Sequence, residues 1–224
     1  MLPPANFIEY LAVVARPEAD APPRVVRHSP RQRQGTPFPP FVSVFALPEG
    51  VPPHRIEHCS ECPPELVNAV RQSGAAVVTQ PGFIHWNGPS YRKNVSDELQ
   101  PHLYPIGPLD AAGVNVAFGS DAPVINPNPW PAIYSAVTRK DREGEHFPKS
   151  GGQVGIRAEW TIRMHTLSGA QSEGTQTDKG SITTGKLADL ILVDANPLTV
   201  DSEALKDIRA KMTIVGGKVI WEGR

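Results

Sequence analysis

Asp121 stands in Phe118-Gly119-Ser120-Asp121-Ala122-Pro123, directly after the apolar run 114–118 (VNVAF). A carboxylate at the C-terminal end of a buried strand can hold a metal ion and take a proton from a water activated there. Asp before Ala-Pro also suits a turn or helix cap, because its side chain accepts from nearby backbone amides. His58 closes the short run Arg55-Ile56-Glu57-His58, a second strand edge. A neutral imidazole there is a zinc-type ligand, and equally a hydrogen-bonded structural residue. Around it, His54, His58, Cys59 and Cys62 supply the nitrogens and sulfurs of a tetrahedral structural zinc site. On a strand, however, His54 and His58 stand about 13 Å apart at ~3.3 Å per residue, too far to share one ion. Cys59-Ser60-Glu61-Cys62 is also the spacing of a redox pair, without thioredoxin-like surroundings. His85, in Phe83-Ile84-His85-Trp86, is a weak candidate for substrate contact, the alternative being a surface histidine in a loop. Arg92 and Lys93 could meet an anionic substrate or simply stay solvated.

The elements that must position these residues are of two kinds. From His54 onward, strand and helix signals alternate, as in a parallel α/β fold. Residues 55–58 and 75–79 (AAVVT) and 114–118 read as short strands, the last two of the apolar kind buried in parallel sheets. Between them, a helix is expected from Pro63-Pro64 to Gly74, a long loop over 80–97, and a mostly helical stretch over 99–112 broken by Pro105 and Pro108. Further helices are expected over 130–139 and 158–167, the second ended by Gly169. Beyond that lie a strand at 189–194, a short helix at 202–208, and strands at 211–215 and 218–221 around Gly216-Gly217. That glycine pair signals a hairpin, because both central positions of its favoured turn need positive φ.

The first 53 residues differ in character. They hold 12 of the chain's 25 prolines. Each proline removes a backbone donor and restricts its predecessor, so long helices and central strands are disfavoured. A short helix over 6–14, a strand over 41–47 and irregular chain over 16–40 are expected.

The whole chain has 224 residues and a formal net charge of -1. No global field draws in nucleic acid or an anionic membrane, and no basic stripe with interleaved aromatics is present. No apolar run approaches the ~18 residues that span a bilayer, and the N-terminus has no signal-peptide pattern, so the cytoplasm is the expected location. Two cysteines are too few for a disulfide scaffold.

Several motifs in order resemble one family, the metal-dependent amidohydrolases, and especially their YtcJ-like branch. Residues 114–124 (VNVAFGSDAPV) resemble its last barrel strand, 54–58 (HRIEH) its sixth, and 80–84 (QPGFI) the segment after its seventh. Residues 179–190, with Lys179-Gly180-Ser181-Ile182 and Gly185-Lys186-Leu187-Ala188-Asp189-Leu190, resemble the return into its small β-sandwich, and 213–219 (TIVGGKV) its terminal hairpin.

The resemblance covers 54–224. It implies an α/β fold: a partial (β/α)8 TIM-type barrel of about strands 6–8, with a C-terminal piece of a composite β-sandwich. The expected organisation is a proline-rich, largely irregular 1–53 outside the family, a barrel part at 54–170, and sandwich return strands at 171–224. It further implies hydrolysis of carbon–nitrogen bonds other than peptide bonds in a small-molecule substrate, by a metal-activated water. His58 inherits a metal-ligand role, Asp121 that of metal ligand and general base, and the cofactor is a divalent metal, zinc by preference. The family's first-strand His-x-His pair, fourth-strand carboxylate or lysine and fifth-strand histidine are not visible here. A full barrel takes about 250 residues, so the chain is expected to be truncated. A catalytically inactive fragment or interaction module is the alternative, and exposed sheet edges would favour a homo-oligomer.

Overall fold

The structure, a computed structural model, describes residues 11–13, 54–148 and 155–223. Three strands form a parallel sheet in the order β2-β3-β4: β2 at Arg55–Glu57, β3 at Ala76–Thr79 and β4 at Val116–Phe118. Ile56 pairs with Val77, and Val77 with Val116. Ala76, Val77, Val116, Ala117 and Phe118 are all buried, which matches the unbroken apolar runs of a sheet covered on both faces. Helix α1 (Pro64–Ser73) turns its buried Val67 and Val70 to this core. It starts with proline at its first position and stops at Gly74, whose φ of 67° is left-handed.

The expected loop over 80–97 is instead a helix, α2, at Gly82–Asn94, with Pro89 inside it. Packing overrides propensity here: Phe83, Ile84, His85 and Gly88 are buried. Pro89 cannot donate to the carbonyl of His85, and that carbonyl accepts from the backbone N–H of Arg142 at 2.9 Å instead. Helicity over 99–112 is split as the prolines require, into a 3-10 turn at Gln100–His102 and α3 at Ile106–Ala111.

Helix α4 (Pro129–Thr138) is almost wholly buried and packs against α2 and the turn at Ser202–Asp207. Asn128 caps it by accepting from Trp130 N at 3.1 Å. The helix expected over 158–167 is two helices, α5 (Ala158–His165) and α6 (Leu167–Glu173), broken at Thr166. Gly169 lies inside α6, and the left-handed Gly174 ends it. At the break, Thr166 Oγ1 donates to the carbonyl of Ile162 at 2.8 Å, so that group is not orphaned.

The second sheet is antiparallel, in the order β1-β5-β6-β7: β1 at Leu11–Val13, β5 at Leu190–Val193, β6 at Ala210–Val215 and β7 at Lys218–Glu222. β1 corrects the expected helix over 6–14, since Leu11, Ala12 and Val13 pair with Leu192, Ile191 and Leu190. Bonding to a neighbouring strand decides the state of a segment too short to hold itself helical. The rest of that segment, the strand expected at 41–47 and the irregular chain at 16–40 lie outside the described residues. The Gly216-Gly217 hairpin forms with φ of 57° and 76°. Buried Asp189 secures it, accepting from Gly216 N at 2.7 Å. The outer strand β7 leaves Val219, Ile220 and Trp221 exposed. Among the described residues, no helix is long and apolar enough to cross a membrane.

Candidate active site

Parallel pairing aligns the C-terminal ends of β2, β3 and β4, and each is followed at once by a polar residue: His58, Gln80, and Ser120-Asp121 after Gly119. Such an edge is where α/β folds build their sites. His58 and Gln80 meet directly, with His58 Nδ1 2.9 Å from Gln80 Oε1. Gln80 is 3% exposed, and its amide nitrogen points to the carbonyl of Val78 at 3.4 Å. That orients the amide oxygen towards Nδ1, and a neutral imidazole protonated at Nδ1 would donate to it and leave the Nε2 lone pair free.

The backbone at this edge is strained. His58 has φ of 70°, and Cys59 N donates to Glu57 O at 2.9 Å, which makes His58 the centre of a γ-turn. Asp121 has φ of 54° and Cys59 of 45°. Left-handed conformations in non-glycine residues cost of order 1 kcal/mol each and cluster at functional sites. Asp121 N-terminally fixes a turn as well, its carbonyl accepting from Val124 N at 2.8 Å. Its side chain is exposed.

An aromatic floor joins these residues. Phe83 stacks on His58 with ring centroids 6.3 Å apart and meets Tyr104 edge-on at 6.1 Å. Tyr104 and Tyr91 hydroxyls are 2.9 Å apart. Burial first, then Tyr91, pushes the Tyr104 phenol well above its usual range, and the Asp121 carboxylate adds to the rise. Tyr104 is thereby a neutral donor or acceptor near Asp121 at any physiological pH.

His85 lies elsewhere. It is buried on α2, edge-on to Trp86 and Tyr134. Burial lowers its pKa, offset in part by Asp141. Asp141 itself is fully buried, 2.5 Å from Arg92, and accepts from Glu143 N and Glu145 N. Arg92, a candidate for anion contact, is thus engaged in an internal ion pair. Lys93 is exposed at the end of α2. No group of three or more His, Cys, Asp or Glu is poised to hold a metal ion among the described residues, which removes the four-residue knuckle of His54, His58, Cys59 and Cys62.

A cavity of about 1360 Å³ borders the same strand end at Gly119 and Ser120. Trp86, Trp130, His165 and Trp221 are among its walls, while His58, Gln80 and Asp121 are not. It adjoins the site and is not its centre. His165 sits edge-on to Phe118, and burial depresses its pKa to about 4. Sequence reasoning missed Gln80, Phe83, Tyr104 and His165. Only Gln80 carried a signal, its place directly after an apolar strand run.

The model of the amidohydrolase family matches residues 43–221, beginning before the first motif at His54. An N-substituted formamide deformylase of Arthrobacter pascens is 26% identical over 178 residues, covering 75% of this chain and 31% of that protein. YtcJ of Bacillus subtilis is 24% identical over 168 residues, covering 75% and 32%. The chain therefore spans about a third of the length of these curated relatives. An adenosine deaminase from Xanthomonas campestris, solved with bound zinc, superposes with a TM-score of 0.51 at 22% identity, covering 74% of this chain and 36% of that one.

Proposed function

The chain belongs to the amidohydrolase family, and from that premise we propose that it carries the C-terminal part of a metal-dependent hydrolase of carbon–nitrogen bonds other than peptide bonds. In this reading β2, β3 and β4 are about strands six to eight of a (β/α)8 barrel. The antiparallel sheet is a piece of the composite β-sandwich, with the division between barrel (54–170) and return strands (171–224) falling within α6. The observation that carries the reading is the alignment of His58, Gln80 and Asp121 on one parallel-sheet edge.

The donor set fits a divalent ion in kind. An imidazole nitrogen with a free lone pair and a carboxylate oxygen are ligands zinc accepts. His58 and Asp121 would hold it, and when bound it would acidify water and polarise the substrate carbonyl. Gln80 fixes the tautomer and ring orientation of His58, as a hydrogen-bonding neighbour does for a ligating histidine. Asp121 takes a proton from the attacking water at a carboxylate oxygen and returns it to the leaving nitrogen. Phe83 walls off one face of His58 from water. The substrate is a small molecule with an amide, cyclic amide or related carbon–nitrogen bond, consistent with the deformylase among the relatives.

A second reading, an inactive fragment or interaction module of the same ancestry, draws on the ligand count. Catalytic zinc takes three protein ligands, and this edge offers two. Elemental analysis of the purified chain separates the readings. About one equivalent of zinc, lost in Asp121→Ala, together with hydrolysis of N-substituted formamides or cyclic amides, supports the first. Metal at background and no turnover supports the second.

A further inference from the structure

β7 is the last strand of the antiparallel sheet. β6 pairs with one of its sides, and no strand pairs with the other among the described residues. Such an edge presents a row of open N–H and C=O groups that a further strand can join. All five residues, Lys218–Glu222, are exposed. The middle is apolar, with Val219 54%, Ile220 62% and Trp221 49% exposed. The ladder to β6 pairs Ile214 with Val219 and Thr213 with Trp221, so Ile220 is left without a partner residue there. Charged side chains blunt many edge strands. Here they stand only at the two ends, Lys218 and Glu222, and neither takes part in the ion pairs formed among the described residues. The strand is also preformed: Asp189 accepts from Gly216 N at 2.7 Å and fixes the hairpin that presents it.

The order of these five residues selects the partner. In antiparallel self-pairing about Ile220, Lys218 of each copy faces Glu222 of the other, Val219 faces Trp221, and Ile220 faces Ile220. Parallel self-pairing sets Lys218 against Lys218 and Glu222 against Glu222, which repel. We propose that β7 is a self-association edge whose partner is a second copy of this chain, joined antiparallel about a two-fold axis at Ile220 so that the two four-stranded sheets become one. Opposite charges at both ends, two aromatic–β-branched pairs and a central Ile–Ile pair are the cross-strand contacts that stabilise sheets. The edge is small against the ~1,200–2,000 Å² that standard interfaces bury, so the dimer is weak and dissociates on dilution. Nothing in this inference depends on His58, Asp121 or a metal ion.

Sedimentation velocity on the full chain over a dilution series reads the association, with circular dichroism to check that each variant keeps its fold. The unsubstituted chain should show a monomer–dimer equilibrium. Lys218→Glu and Glu222→Lys each set like charges against one another at both ends of the pair, and each should weaken the dimer about tenfold. The two together restore opposite charges and should return the dissociation constant to within about threefold of the original. Ile220→Lys should leave monomer only. A monomer at every concentration up to the solubility limit would overturn the proposal, whether β7 is then bare or covered by the chain's own residues 14–53. A dimer indifferent to Ile220→Lys would place the contact elsewhere and overturn it too. A double variant as weak as the single ones would exclude the antiparallel register, with the same consequence.

Discussion

Replacing Arg139 with Met should cost this fold about 3–5 kcal/mol. The guanidinium is 3% exposed and is held by carbonyls: Nε donates to Phe147 O at 3.2 Å, Nη1 to Tyr104 O at 3.0 Å and Nη2 to Leu103 O at 3.2 Å. Burial lowers its pKa to about 10, so it remains charged at neutral pH. Each bond from a charged donor is worth roughly 1.5–3 kcal/mol net. The cost of burying the cation offsets part of three such bonds, while Met removes the guanidinium donors from all three carbonyls, of which Tyr104 O keeps the N–H of Ile106 at 2.8 Å. That loss is a large share of a typical total of ~5–15 kcal/mol. Arg139→Lys keeps the charge but not the fork, and should lose about half as much. The damage should reach the site, because Tyr104 and Leu103 hold Ser60 and Glu61, and through them the turn at His58. Urea unfolding followed by tryptophan fluorescence measures the loss, and amide exchange at Cys62 and Tyr104 measures its spread. A loss below about 1 kcal/mol with an unchanged m-value would refute the reasoning, since the guanidinium bonds would then add little beyond the carbonyls' other partners.

Gln80→Leu should weaken cobalt or zinc binding by about 10–100-fold in a competition titration, while Gln80→Glu, which keeps an acceptor for His58 Nδ1, should retain more of it. His165 has a folded pKa near 4 against an ordinary value of 6.5. Above pH 6.5 the imidazole is neutral in both states. As pH falls towards 4, the unfolded chain takes up a proton that the folded chain refuses, so stability drops across that window, by at most about 3 kcal/mol. His165→Phe should flatten this part of the stability profile measured by denaturant unfolding between about pH 7 and pH 4. Gly88→Ala would set a new Cβ 2.6 Å from Asp141 Cβ and 2.9 Å from its Oδ2. It should force α2 off the 141–145 turn at about 1–3 kcal/mol, read as a lower unfolding midpoint.

Much of the strand framework was legible in the sequence because local chemistry dictates it. Short β-branched apolar runs flanked by glycine favour buried strands over helices, and paired glycines favour the β6–β7 turn. His58 and Asp121 stood out because each follows such a run, and the ordered motifs named the family. What failed was decided by distant partners. Residues 82–94 contain two interior residues that oppose helices, Gly88 and Pro89, yet α2 forms because Asp141 fills the space left by Gly88 and Arg142 N answers the carbonyl that Pro89 cannot. Leu11–Val13 is a strand because β5 offers it hydrogen bonds. Gln80, Phe83 and Tyr104 entered the site only in three dimensions, since no spacing along the chain records which side chain will face an imidazole.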